Sequence, residues 1–487
     1  MPGSPAVRAR NFVSGQWCDS TTGEWQVHRN PGDLAEVVSR SAESGPADVG
    51  RAVAAADAAG SAWRDLGPVR RGEIVLRAAR EIEARSAELA EAITREQGKV
   101  LREASGEVSR TVALVEYIAG EGRRLGGATL PADDPHTIAL TRRVPIGVVG
   151  LVTPWNFPLA IPAWKVAPAL VSGCTVVLKP SPLTPLTAAL LVECFVAAGV
   201  PAGVLNLVHG GSAVGERLVA DPAVAGVSFT GSVAVGRAIH TAGAPRFLRT
   251  QLEMGGKNAA LVLADADLAA AADAIVTGAF GQAGQRCSAT SRVVVDARVH
   301  DRLVELLVER VAPLVVGNGL KPDSTVGPVV DESRLLACLD GIRRAVADGA
   351  RVVAGGGRLT DGLPEGYFVA PTVLDGVGSE DFIAQEEIFG PVLSVIGCAG
   401  FDDGVRIVNS VRYGMAGAIF TRDPGVAFRA LDRIDAGMLH VNRPGVGAYP
   451  HMPHVGAKES QYGPAECSPQ TWDFYTEWRT ACVSYGP

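Results

Sequence analysis

The sequence predicts an α/β protein built on a parallel, doubly wound sheet. Two observations carry that prediction. Short apolar runs of strand length recur at Ile146–Val152, Val176–Lys179, Val204–Val208 and Gly226–Phe229. Single helical stretches follow them: about Thr184–Ala198, one after Gly210-Gly211, and one opening at Thr230-Gly-Ser-Val-Ala-Val-Gly236. Strands separated by single helices pair in parallel, because the crossover helix returns the chain to the same end of the sheet. A second α/β section runs from Asn258–Leu263 to about Ile419.

Composition bounds the rest. The 487 residues allow about two to four domains. A hydrophobic share of 47% with 20% charged residues is a globular balance, without the signature of disorder. The net charge of −7 comes with no basic stripe, so no nucleic-acid partner is expected. The cysteines at 18, 174, 194, 287, 338, 398, 467 and 482 include no Cys-x-x-Cys pair, so they read as reduced cytoplasmic thiols. His451 and His454 have H-x-x-H spacing but no third ligand nearby, so no metal site is expected. The start, Met1-Pro-Gly-Ser-Pro5, has no apolar stretch, and no run reaches the ~18 apolar residues of a membrane span. The chain is therefore read as cytoplasmic, without a membrane partner.

In chain order, residues 11–40 read as short strands and turns, around Phe12-Val13, Gly15–Trp17 and Asn30-Pro-Gly-Asp33. From Pro46 to about Gly120 the apolar spacing is helical, over Val49–Ala62, Arg70–Glu91 and Val100–Ala119. Thr137–Val144 alternates apolar with polar, and Asp473–Val483 does so near the other end. Two such strands suggest a small projecting sheet. Long exposed strands need a partner, which points to a subunit interface.

The chemistry centres on Cys287 in Gly281-Gln-Ala-Gly-Gln-Arg-Cys-Ser288. A lone cysteine packs as a small hydrophobe in most proteins. Cys287 also has the company a nucleophile needs: Glu253 as a general base and Asn156 as an amide donor. Arg286 beside it is a cation of the kind that lowers a thiol pKa. It also suits a carboxylate on the substrate, or a structural ion pair. Gly231-Ser-Val-Ala-Val-Gly236 opens a helix after a strand. It reads either as a phosphate site or as a tight turn. Lys179-Pro-Ser181 adds a cation where an adenosine ribose would sit.

Six motifs in order then resemble the NAD(P)-dependent aldehyde dehydrogenase superfamily. They are Pro154-Trp-Asn-Phe-Pro158, Lys179-Pro-Ser181, Phe229-Thr-Gly-Ser232, Leu252-Glu-Met-Gly-Gly-Lys257, Gly284-Gln-Arg-Cys287 and Glu386-Glu-Ile-Phe-Gly-Pro391. The runs Pro154–Leu170 and Gly284–Arg292 look most like bacterial α-ketoglutarate semialdehyde dehydrogenases. The resemblance implies a Rossmann-type cofactor domain over 1–127 and 146–253 and an α/β catalytic domain over 254–457. It places oligomerisation strands at 128–145 and 470–487, in a homodimer or homotetramer. Oxidation of an aldehyde to an acid through a Cys287 thiohemiacetal and thioester is implied, with Lys165 assisting proton transfer and Glu466 on the proton path. Cofactor contacts are implied for Thr153, Trp155, Lys179, Ser181, Gly231, Ser232, Gly236, Met254, Glu387 and Phe389, and more loosely for Gly211. Phe157 and Trp164 would line the substrate tunnel. Pro182 stands where many NAD-preferring relatives carry glutamate, so NADP stays open beside NAD. His454 replaces a tunnel phenylalanine, making either a more polar pocket or a surface histidine. The alternatives are an aromatic or aliphatic aldehyde as substrate, or a cysteine hydrolase, which would want a histidine base.

Overall fold

The computed structural model describes residues 7–447 and 449–486. The Met1–Pro5 segment read for a secretion signal lies outside them. The first large sheet has eight strands. Its centre is five parallel strands in the spatial order Arg249–Glu253, Val224–Thr230, Val148–Val152, Thr175–Lys179 and Leu205–Leu207. The short strands Gln461–Tyr462 and Asn11–Val13 close its two sides antiparallel, and Gln16–Cys18 extends the latter.

Side-chain alternation explains why Val148–Val152 and residues 176–178 are apolar on both faces. Val149 and Leu151 face one core, with Val176 and Leu178 beside them, while Val148 and Val177 face the other. A parallel strand covered on both faces has no polar side to show. Helices Pro68–Ala84, Leu101–Glu121 and Ala160–Ser172 bury the first face; Pro46–Asp65, Ser212–Ala220 and Val233–Gly243 bury the second.

The second large sheet has seven strands. They run Arg351–Ala354, Thr372–Asp375, Val392–Cys398, Thr290–Asp296, Asn258–Val262, Ala416–Phe420 and Met438–Val441, parallel except for the first pair. It ends beyond the expected Ile419, because Met438–Val441 adds an edge strand. Thr137–Pro145 and Thr476–Ser484 pair antiparallel over their full lengths, from Thr476 opposite Pro145 to Ser484 opposite Thr137. Trp478, Val483 and Ile138 stay exposed on this ribbon.

Two expected elements differ. The helix read over Arg70–Glu91 is two helices, Pro68–Ala84 and Ser86–Gln97, broken at Arg85. Apolar spacing continues across the break, so periodicity does not reveal it. The strand read from Asp473 starts at Thr476, and Trp472–Tyr475 is a helical turn. Phe474 and Tyr475 are buried there, which a one-faced exposed strand would not allow.

Candidate active site

The strands deliver their chemistry at their C-terminal ends, as open α/β sheets do. Val148–Val152 leads into Thr153-Pro-Trp-Asn156, Val224–Thr230 into Gly231-Ser232, and Arg249–Glu253 ends on the acid itself. Cys287 arrives from the second sheet, in the turn between helix Leu268–Phe280 and strand Thr290–Asp296. One cavity of about 320 Å³ is lined by Trp155, Asn156, Gly231, Ser232, Met254, Cys287, Glu387 and Phe389 together.

The turn carrying Cys287 is conformationally costly. Gln282 and Ala283 both adopt left-handed backbone, with φ of 54° and 53°. Such geometry in residues other than glycine costs of order 1 kcal/mol each and persists only where the surroundings impose it. Here Glu103 imposes it, accepting a hydrogen bond from the Gln282 N–H at 2.8 Å. Gly284 follows, also left-handed, and a side chain there would collide with the Gly390 carbonyl.

Asn156 is held from below. Lys99 Nζ donates to its carbonyl at 2.7 Å and pairs with Glu107 at 2.6 Å. The other Glu107 oxygen accepts the N–H groups of Leu159 and Ala160 at 3.0 Å, fixing the start of helix Ala160–Ser172. Neither charge of this pair is exposed. Removing one partner of a buried pair leaves the other charge uncompensated, at about 3–5 kcal/mol. Glu107→Ala is therefore expected to lower unfolding stability by about that much, read as a drop in denaturant midpoint. The brace leaves the Asn156 amide free: its Oδ1 is buried without a hydrogen-bond partner.

Burial dominates the electrostatics. It pushes the Cys287 thiol up to about 12, with the charges of Glu253 and Glu387 adding to the effect. It raises Glu253 well above the carboxylate range, with Glu466 adding and Lys165 opposing. Glu387 is raised to about 7, again by burial, although the Gly256 N–H donates to it at 2.8 Å.

The expectation for Arg286 is corrected here. Its guanidinium lies 3.5 Å from Glu103, the same acid that holds Gln282, and it does not line the Cys287 cavity. The structural ion pair is the reading the geometry takes; the grip on a substrate carboxylate and the lowered thiol pKa both fall away. Arg286 braces the Cys287 turn instead. His454 is also not a surface residue. It is 6% exposed and tilted against Trp164 at 5.3 Å between ring centres. Phe157 lies under Lys99, whose Nζ is 4.5 Å from the ring centre.

The remaining sequence candidates fall into three groups. Trp155 and Phe389 meet edge to face at 5.3 Å, with Phe389 in left-handed backbone at φ 59°. Thr153, Lys179, Ser181 and Gly211 lie further along the first sheet. The Thr153 N–H bonds the Lys179 carbonyl at 3.1 Å, and the Gly211 N–H bonds Glu43 at 3.2 Å. Burial brings the Lys179 amine down to about 8. Third, Lys165 pairs with Glu466 and donates to Ser228 at 2.7 Å, deep behind Glu253. Gly236 is a packing position: inside its helix, a side chain would meet Met254.

Sequence reasoning missed Asp331, Ser333 and Arg334, which line the cavity. Asp331 caps helix Glu332–Ala347 by accepting from the Arg334 N–H at 2.8 Å, and Asp-x-x before a helical run was a readable signal. It also missed Glu107, a charge on the buried face with Ala104, Val108 and Thr111.

A family profile for aldehyde dehydrogenases matches residues 17–481. The chain belongs to the aldehyde dehydrogenase family. The alpha-ketoglutaric semialdehyde dehydrogenase of Bacillus subtilis (strain 168) is 43% identical over 475 residues, covering 97% of each chain. The alpha-ketoglutarate semialdehyde dehydrogenase of Haloferax volcanii is 41% identical, over 98% of this chain and 99% of its own. Among solved structures, betaine aldehyde dehydrogenase from Staphylococcus aureus in complex with NAD+ superposes with a TM-score of 0.96 at 32% identity. That match covers 99% of this chain and 96% of the other.

The enzyme is an NAD(P)-dependent aldehyde dehydrogenase, oxidising an aldehyde to a carboxylic acid. The residues present fit a dinucleotide. The Oγ1 atoms of Thr153 and Thr230 are buried without partners at the strand ends, and Ser232 caps the helix that opens there. Among the described residues, no helix is long and apolar enough to cross a membrane.

Proposed function

We propose that the enzyme oxidises a carboxylate-bearing semialdehyde, with α-ketoglutarate semialdehyde as the leading candidate. Support for this substrate comes from the names of its full-length relatives. Support for the roles comes from one observation: Cys287 and Asn156 line a single cavity with Met254, the neighbour of Glu253, whose charge acts on the Cys287 thiol and whose two oxygens are buried without partners.

In this reading the Cys287 thiol gives up its proton to solvent, and the thiolate attacks the aldehyde carbon to form a thiohemiacetal. The Asn156 amide and the Cys287 N–H hold the oxyanion, each such donor being worth ~10²–10³ in rate. A nicotinamide cofactor held by residues such as Trp155, Ser232 and Phe389 would supply the hydride acceptor, and the acyl group would then remain on Cys287 as a thioester. Glu253 then takes a proton from water, the water oxygen attacks the thioester carbon, and the carbon–sulfur bond breaks to free the acid. Lys165 and Glu466 lie where that proton would leave. Glu253 titrates above the carboxylate range, so its charged form is lost as pH falls. The steady-state rate should drop on the acid side above the pH where ordinary carboxylates titrate.

Residues 1–127 and 146–253 form the cofactor unit in this proposal, and 254–457 the catalytic unit, in keeping with the two large sheets. Within 128–145 and 470–487, the ribbon of Thr137–Pro145 and Thr476–Ser484 is the assembly surface of a homodimer or homotetramer. Its exposed Trp478 and Val483 support that use. The chain is assigned to the cytoplasm on its unpaired cysteines. Cofactor use is assigned to NAD, with NADP accepted because Pro182 carries no charge to repel a 2′-phosphate.

The test is a panel of semialdehydes, aliphatic aldehydes and aromatic aldehydes, scored by reduced-cofactor absorbance with NAD and NADP in parallel. The expected result is the highest kcat/KM for a dicarboxylic semialdehyde. Preference for an uncharged aldehyde would overturn the substrate. Because Arg286 is engaged with Glu103, Arg286→Ala is expected to leave the ranking of aldehydes unchanged.

A further inference from the structure

We propose that His454 is a positioning residue for the general base, its Nε2–H holding the Glu253 carboxylate in the charged state needed to break the thioester. The proposal rests on the reading of Glu253 as the water-activating base. His454 Nε2 lies 3.9 Å from Glu253 Oε2, and both side chains are buried. That gap is about 1 Å too long for a hydrogen bond, and a small rotation of the flexible glutamate closes it. Among the described residues, neither Glu253 oxygen has any other hydrogen-bond partner.

The imidazole is well placed for this. Its ring lies tilted against Trp164, and its backbone pairs with Glu466 in both directions, at 2.8 and 3.1 Å. That pairing fixes where the backbone of His454 sits, and burial against Trp164 confines the ring. The ionisable groups around it are Glu253 on its strand, Lys165 on helix Ala160–Ser172, and Glu466 and Cys467 on the returning segment. Lys165 is already committed to Glu466 and Ser228, so it does not hydrogen-bond Glu253. Burial keeps the imidazole neutral at neutral pH, with one N–H to give. Nδ1 is buried without a partner, which leaves the ring free to carry that hydrogen on Nε2.

The consequence is specific to deacylation. A carboxylate buried beside Glu466 has a raised pKa, and a donor bonded to its charged form brings it back down. His454→Phe deletes the donor and keeps an aromatic ring against Trp164. The acid limb of the kcat–pH profile is then expected to move up by about one unit, lowering kcat about tenfold at a pH below that limb. His454→Gln places an amide N–H where Nε2 stood and should restore the profile. His454→Asn is too short to reach and should behave like phenylalanine. The Gln–Asn comparison tests the proposal if the phenylalanine variant does not fold.

The measurement is kcat against pH for these variants with the best aldehyde of the panel, repeated in a Glu253→Gln background. A shifted limb with Phe and Asn, restored by Gln and absent in that background, is the expected result. An unshifted limb in Phe and Asn, with Glu253→Gln itself deficient in deacylation, overturns the role of His454. A Glu253→Gln enzyme with normal turnover overturns the base assignment instead, so the two failures are distinct.

Discussion

Cys287→Ala is expected to abolish aldehyde oxidation, with kcat/KM falling on the order of 10⁵–10⁶-fold, the scale of loss when a covalent nucleophile is deleted. The size follows from the site. The sulfur is the atom on which the proposed intermediates form, and among the described residues no second thiol lines its cavity. The change removes a half-buried side chain from a turn held by other residues: Glu103 grips Gln282, and Asn258 donates to the Cys287 carbonyl at 2.7 Å. Dinucleotide binding, followed by the quenching of tryptophan fluorescence, should therefore survive. Loss of oxidation with binding intact separates chemistry from folding. Retained oxidation would place the nucleophile elsewhere.

Glu253→Gln is expected to divide the reaction in two. Oxidation to the thioester forms about one equivalent of reduced cofactor per site in a burst. Turnover then stalls, with steady-state kcat down ~10²–10⁴-fold, the usual contribution of a positioned base. The substitution is nearly isosteric and removes a buried group that burial disfavours charging, so the fold should tolerate it. Stopped-flow absorbance of the reduced cofactor reads both phases. If the burst itself disappeared, Glu253 would be needed to deprotonate the Cys287 thiol, whose pKa burial raises to about 12. A normal steady state would remove Glu253 from the mechanism.

Much of this architecture is legible in the residues because parallel strands declare themselves. Val148–Val152 and residues 176–178 are apolar on both faces, whereas the helix between them, Ala160–Ser172, escapes the reading because it is buried all round and shows no amphipathic period. The ribbon was legible for the opposite reason: one exposed face makes Thr137–Pro145 alternate. Cys287 and Asn156 could be singled out because each sits in a Gly- or Pro-bounded turn, and Glu253 because it ends a strand just before Gly255-Gly256. The side-chain direction of Arg286 could not be read that way. Adjacency to Cys287 suggested a shared cavity, yet Glu103, far away in sequence, decides where the guanidinium goes. The Lys99–Glu107 brace is hidden for the same reason, since its contacts to Asn156, Leu159 and Ala160 exist only after packing. Thiol activation was misread because a neighbouring cation is visible in a sequence and burial is not.

The most direct test of the central claim is the intact mass of the Glu253→Gln enzyme after brief exposure to aldehyde and NAD. A covalent acyl group of the substrate's mass, on the peptide carrying Cys287, is the predicted result. An unmodified protein after a full burst, or an acyl group on another residue, would contradict it.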